Sequence, residues 1–175
     1  MTLPSRDRAG LAAAIHDTDL MVVVAVTGGG VAVVTDLLGV PGASRTVLEV
    51  VVPYAGPAME DFIGARVDQA VSEATAEAMA AAALRRACAL APPDAPLAGV
   101  GCTAGLVTDR ERRGEDRAHV AVALPSGTQV RTLHFDKGDL DRLAQDRLVA
   151  DLVLDGIAAG AGLTEPSSAW TGGFP

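Results

Sequence analysis

The segment Thr27-Gly28-Gly29-Gly30 concentrates the groups best suited to chemistry in this sequence. It follows the unbroken apolar run Leu20–Val26, which reads as a strand buried on both faces. Glycines at such a strand end let backbone N–H groups close around a phosphate where the next helix begins, and the helix dipole favours negative charge there. Thr27 has two readings: a nucleophile, or a hydroxyl that caps the following helix. Ser44, just past the Pro41-Gly42 turn, and Cys102, at the end of the apolar run Leu97–Thr103, are the other nucleophile candidates. No base is adjacent to any of them. His119 and His134 approach Cys102 only if their strands neighbour it. The spacing of His16, His119, His134, Cys88 and Cys102 fits neither a metal site nor a disulfide framework, and Cys88, in an alanine-rich run, is expected to be buried.

Further binding candidates lie along the chain. Tyr54 is its only tyrosine, able to stack on a ring or plug the core. Thr103 ends the third apolar run and Gly105 follows it. In residues 110–117, Arg112, Arg113 and Arg117 belong to a set of four arginines whose guanidinium forks suit phosphate or carboxylate, or pair with Glu111, Glu115 and Asp116.

The elements that must position these residues follow from periodicity. Residues 6–16 have a helical pattern, residues 20–26 form a strand, and 31–39 alternate like a helix until Pro41-Gly42. Residues 46–53 form a second strand. Ser72 is the expected N-cap of a helix to about Ala89, with Glu73 in its first turn and Arg85-Arg86 in its last. A third strand spans 97–103, Asp109–Arg117 is a polar loop, and His119–Leu124 with Gln129–Phe135 make an antiparallel hairpin around Ser126-Gly127. Residues 139–160 form a closing helix. The fold class expected is a single α/β/α layered domain over residues 1–163, a mixed sheet flanked by helices, with a flexible tail at 164–175.

Hydrophobic residues make up 49% of the 175 residues and aromatics 3%, so alanine, valine and leucine must fill the core. A net charge of −8 argues against nucleic-acid partners, which need a basic face. No run reaches the about 18 apolar residues of a membrane span, and residues 1–20 carry Arg6, Arg8, Asp17 and Asp19, unlike a signal peptide. The expectation is a cytoplasmic protein with no membrane partner.

Four motifs carry a resemblance to a known family: Thr27-Gly28-Gly29; Val40-Pro41-Gly42-Ala43-Ser44; Pro53-Tyr54 with Ile63-Gly64; and Ala70-Val71-Ser72-Glu73 with Met79-Ala80. Weaker echoes occur at Thr103-Ala104-Gly105 and Gly138-Asp139. In this order and spacing they resemble the CinA C-terminal domain family, the nicotinamide-nucleotide amidohydrolases. The resemblance implies a role in NAD metabolism, a homo-oligomer, no cofactor, and hydrolysis of nicotinamide mononucleotide by a serine nucleophile with a lysine base. The family's serine position falls on Ala25, the glutamate before it on Val24, and the lysine position on Met59. Alanine offers no nucleophile and methionine takes no proton. The expected function is therefore a CinA-like domain with a nucleotide or phosphate pocket and no Ser/Lys machinery. The alternatives are an active amidohydrolase rewired onto Thr27, Ser44 or Cys102, and a structural or regulatory oligomeric module.

Overall fold

The first apolar run forms strand β1 (Met21–Thr27), buried from Val22 onward, at the heart of the sheet in a computed structural model that describes residues 6–109, 113–164 and 171–172. Helix α1 (Arg8–His16) precedes it; α2 (Ala32–Leu38), α3 (Ala43–Thr46) and β2 (Val47–Val51) follow. Then come α4 (Gly56–Ile63), α5 (Glu73–Leu90), β3 (Leu97–Gly105), β4 (Asp116–Leu124), β5 (Gly127–Phe135), α6 (Arg142–Gly160) and β6 (Thr171–Gly172). The sheet order is β2-β1-β3-β4-β5-β6, with β1 parallel to β2 and β3 and the later neighbours antiparallel. The fold is α/β, in three layers: α1, α2 and α6 share one core with Val22, Val24, Val26, Val100 and Val120, while α4 and α5 cover Val23 and Ala25 on the other face.

Strand alternation and glycine together set the second layer. Gly101, Ala121 and Val130 lie side by side across β3, β4 and β5, beside Ala25 of β1. This row of small residues admits α5 to close range. A Cβ on Gly101 would meet the α5 backbone at Ala76 and Ala80, and one on Gly99 would meet it at Ala80 and Leu84. The alanines of α5 are thus spent on the chain's own sheet, with Ala76, Ala80, Ala83 and Ala87 fully buried.

Several expectations shift. Asp116 and Arg117 belong to β4 rather than to a loop, because they pair with Phe135 and His134. Helix α5 runs on to Leu90, so Arg85 and Arg86 lie before its last turn, donating to the Ile63 carbonyl and to Glu49. Cys88 is exposed rather than buried, one residue past the packed Ala87. Helices α3 and α4 have no counterpart in the sequence reading. Thr171 and Gly172, in the expected tail, pair with Val130 and Gln129; residues 165–170 and 173–175 lie outside the described residues. Among the described residues, no helix is long and apolar enough to cross a membrane.

Candidate functional site

The parallel strands β1 and β3 pair as far as Thr27 and Thr103, and the segments that follow on each line a small cleft. Its lining is Gly28, Tyr54, Ala104, Gly105, Leu106, Thr108 and Arg142, and its volume is about 220 Å³. Gly28 has to be glycine: its φ of +74° lies in the left-handed region, and a Cβ would collide with the Ala104 carbonyl oxygen. Tyr54, at 67% exposure, does not plug the core; its ring stands at the cleft.

The first two turns of α6 fasten both loops. Arg142 donates from Nη1 to the Val107 carbonyl at 2.9 Å and from Nη2 to the Gly28 carbonyl at 3.1 Å. The buried Gln145 accepts from the Val107 amide at 2.8 Å and donates to Asp116 at 3.3 Å. Asp146 reaches the glycine loop itself: its carboxylate accepts from the amides of Gly30 at 2.7 Å, Val31 at 3.2 Å and Ala32 at 3.1 Å. The rest of α6 holds the layer in place, through paired hydrogen bonds of Arg147 to Asp36 and of Arg8 to Asp151.

This arrangement corrects the reading of the glycine loop. The helix N-terminus expected to cradle a phosphate is already occupied by Asp146, a charged side chain of the same protein. Thr27 does not cap the helix either; the N-cap is Val31, and Thr27 is 4% exposed at the end of β1. Of the sequence-expected binding residues, Gly28, Tyr54 and Gly105 line the cleft, while Gly29 abuts Leu106 and Gly30 abuts Val149 and Cys102. Thr103 is buried and donates to the Ala70 carbonyl at 2.6 Å, on the α5 face. Ser44 is placed at the other end of the sheet, in α3 just before β2 begins, because α2 carries the chain back along β1. Arg112 lies outside the described residues. Arg113 and Arg117 line two separate cavities beyond the cleft. Arg142 was missed; its signal was a lone arginine at the first turn of the closing helix.

Cys102 is fully buried, its sulfur 3.6 Å from the Gly29 carbonyl, and burial pushes the thiol far above its ordinary range. It shares a face with Val120, whereas His119 lies opposite Thr103 on the other face, so no Cys/His pair forms. A thiol reagent added to native protein should label Cys88 alone, and Cys102 only after unfolding; rapid double labelling of folded protein would contradict this burial. His16 is a core histidine, its Nδ1 3.0 Å from the Thr46 hydroxyl and its Nε2 2.9 Å from the Leu37 carbonyl.

The positions where the resemblance places serine and lysine come together between β1 and α4, under α5. Ala25 is 0% exposed and Met59 4% exposed, in one apolar cluster with Ile63 and Met79.

A three-layer α/β fold whose first parallel strand ends in a glycine loop beside a cleft defines the class of protein. The family model of the CinA C-terminal domain matches residues 7–158, and the chain belongs to that family. Among solved structures, it is similar to the competence/damage inducible protein CihA from Agrobacterium tumefaciens: 26% identity, TM-score 0.68, covering 93% of this chain and 99% of that one. The competence or damage-inducible protein from Enterobacter asburiae has the same fold, with 20% identity, TM-score 0.67 and coverage of 91% and 100%. A CinA superfamily protein from Enterobacter cloacae gives 20%, 0.65, 94% and 99%. None of the curated proteins compared with the chain is significantly similar to it in sequence.

Proposed function

We propose that this chain is a binding member of its family: it holds a nucleotide or another phosphate-bearing small molecule in the cleft at Gly28, Tyr54 and Arg142, and it does not hydrolyse an amide. The observation that carries this reading is the pairing of Ala25 with Met59 in a closed apolar cluster. Nucleophilic amide hydrolysis needs a nucleophile and a base within hydrogen-bond reach, and the side chains of Ala25 and Met59 offer neither. Thr27 and Cys102 are buried, and Ser44 sits at the far end of the sheet, so the rewired alternatives find no support.

Binding is supported by what the cleft retains. Tyr54 presents an exposed ring for stacking, and Arg142 brings a guanidinium beside it. With the amides of Gly30, Val31 and Ala32 held by Asp146, the anion is met by Arg142 rather than by the helix terminus. The homo-oligomer that the resemblance implies belongs to the same proposal, through a surface other than the packed face of α5.

The test is to incubate the protein with nicotinamide mononucleotide, assay ammonia, and measure binding of pyridine nucleotides by calorimetry. We expect no ammonia above the protein-free background. Binding should be saturable and weaken at least about tenfold, or about 1.4 kcal/mol, in Tyr54→Ala and in Arg142→Ala. Sustained ammonia release would overturn the loss of hydrolysis. Absence of any binding, or equal binding by both variants, would overturn the cleft and favour a structural module.

A further inference from the structure

Three strands carry a polar row across the sheet beneath the start of α5. Thr103, His119 and Thr132 lie side by side on β3, β4 and β5, and the next row up holds Gly105, Arg117 and His134. The loop before α5 covers Thr103, whose hydroxyl donates to the Ala70 carbonyl, and so separates this region from the Tyr54 cleft. What remains open is a second cavity of about 460 Å³, bounded by Gln69, Ser72, Glu73, Arg117, His119 and Thr132.

His119 makes this cavity more than a surface dip. Its residue is only 7% exposed, and its Nε2 is buried and has no hydrogen-bond partner among the described residues. The other ring nitrogen fixes its tautomer. Thr132 donates its one hydroxyl proton to Glu73 at 2.6 Å, so its oxygen must accept from His119 Nδ1–H at 2.7 Å. In the neutral ring, Nε2 then carries a lone pair and no proton. Burial lowers the His119 pKa, which favours that neutral ring. A buried acceptor without a donor is rare in a folded protein and points to a group that arrives from outside.

We propose that this cavity is a second binding site, for a small zwitterion bearing a carboxylate and an N–H donor, of which a free α-amino acid is the simplest case. The His119 lone pair and the Glu73 carboxylate select the donor. Arg117, whose Nη2 donates to the Val71 carbonyl at 3.3 Å and thereby keeps the guanidinium at the cavity, selects the carboxylate. Charges of both signs flank the histidine, so a simple anion meets Glu73 and a simple cation meets Arg117. Only a ligand with both is matched. The volume lies within the range of small-molecule sites.

The experiment titrates each of the twenty amino acids into the nitrogen-15-labelled protein and follows the imidazole resonances, with calorimetry for affinity. At least one amino acid should move the His119 Nε2 signal saturably. Its N-acetyl and carboxamide derivatives should each bind at least about tenfold more weakly, as should Arg117→Met. Tyr54→Ala, in the other cleft, should bind the amino acid as the wild type does. If none of the twenty moves Nε2, or if the N-acetyl derivative binds equally well, the proposal fails. His119→Phe should abolish binding; should that variant not fold, the derivatives decide, because they use the unaltered protein.

Discussion

Asp146→Ala should lower the unfolding free energy by about 3 kcal/mol, through loss of charge-assisted hydrogen bonds that each contribute about 1.5–3 kcal/mol, not additively. The carboxylate answers three amides at the start of α2, a helix whose own N-cap residue, Val31, provides no side-chain bond. Without it those N–H groups must find water in a part-buried loop. The same change should create what the wild type lacks. With the carboxylate gone, the amides and the dipole of α2 form an anion site, and inorganic phosphate should stabilise the variant. Phosphate stabilises most proteins weakly by exclusion from their surface, so the relevant quantity is the excess over wild type in parallel urea titrations. Each tenfold of phosphate above its dissociation constant adds about 1.4 kcal/mol. Asp146→Asn, which keeps one acceptor oxygen, should lose less and gain less. A variant as stable as wild type, or one with no excess response to phosphate, would show that Asp146 is not the group holding this loop.

The glycine loop shows how far the sequence could be read. An apolar β-branched run ending in glycines specifies a buried strand and a tight exit, and β1 is that strand. The hairpin was equally legible, since the turn fixes the register: Leu124 pairs with Gly127, and Thr132 therefore falls opposite His119. Ser72 caps α5 through its side chain because a serine before an alanine-rich run has a local partner in the Thr75 amide. What stayed illegible was non-local. Asp146 lies 116 residues from Gly30, on a helix whose sequence carries no mark of its target. Ser44 follows a motif the family shares, yet α2 carries the chain to the opposite end of the sheet before that motif is reached. Cys88 departs from its expected burial for a different, local reason. Composition around Cys88 suggested burial, but helical phase turns it away from the face on which Ala87 packs.

Gly101→Ala should lower stability by about 3 kcal/mol, at the upper end of the cost of overpacking. Alanine in place of glycine usually stabilises a strand or helix, by restricting the unfolded chain and adding packing. Here the sign reverses. The new Cβ would stand 2.5 Å from the Ala80 nitrogen and 2.7 Å from the Met79 Cβ, and closer still to the Ala76 carbonyl oxygen. These are mostly backbone atoms, which no change of rotamer can move, so α5 must lift off the sheet. Lifting it opens the layer that buries Ala25, Met59 and Met79 and disturbs β3, whose end forms one wall of the cleft. Gly160→Ala is the matched control: at the end of α6 its Cβ would make ordinary van der Waals contact with Leu124 and Val122, at 3.5 and 3.6 Å, and it should raise stability by about 0.5 kcal/mol. Denaturant midpoints of the two variants should therefore move in opposite directions. If Gly101→Ala left the midpoint unchanged, the close seating of α5 on β3 would not be the contact that sets this layer, and the closed cluster at Ala25 and Met59 would need another cause.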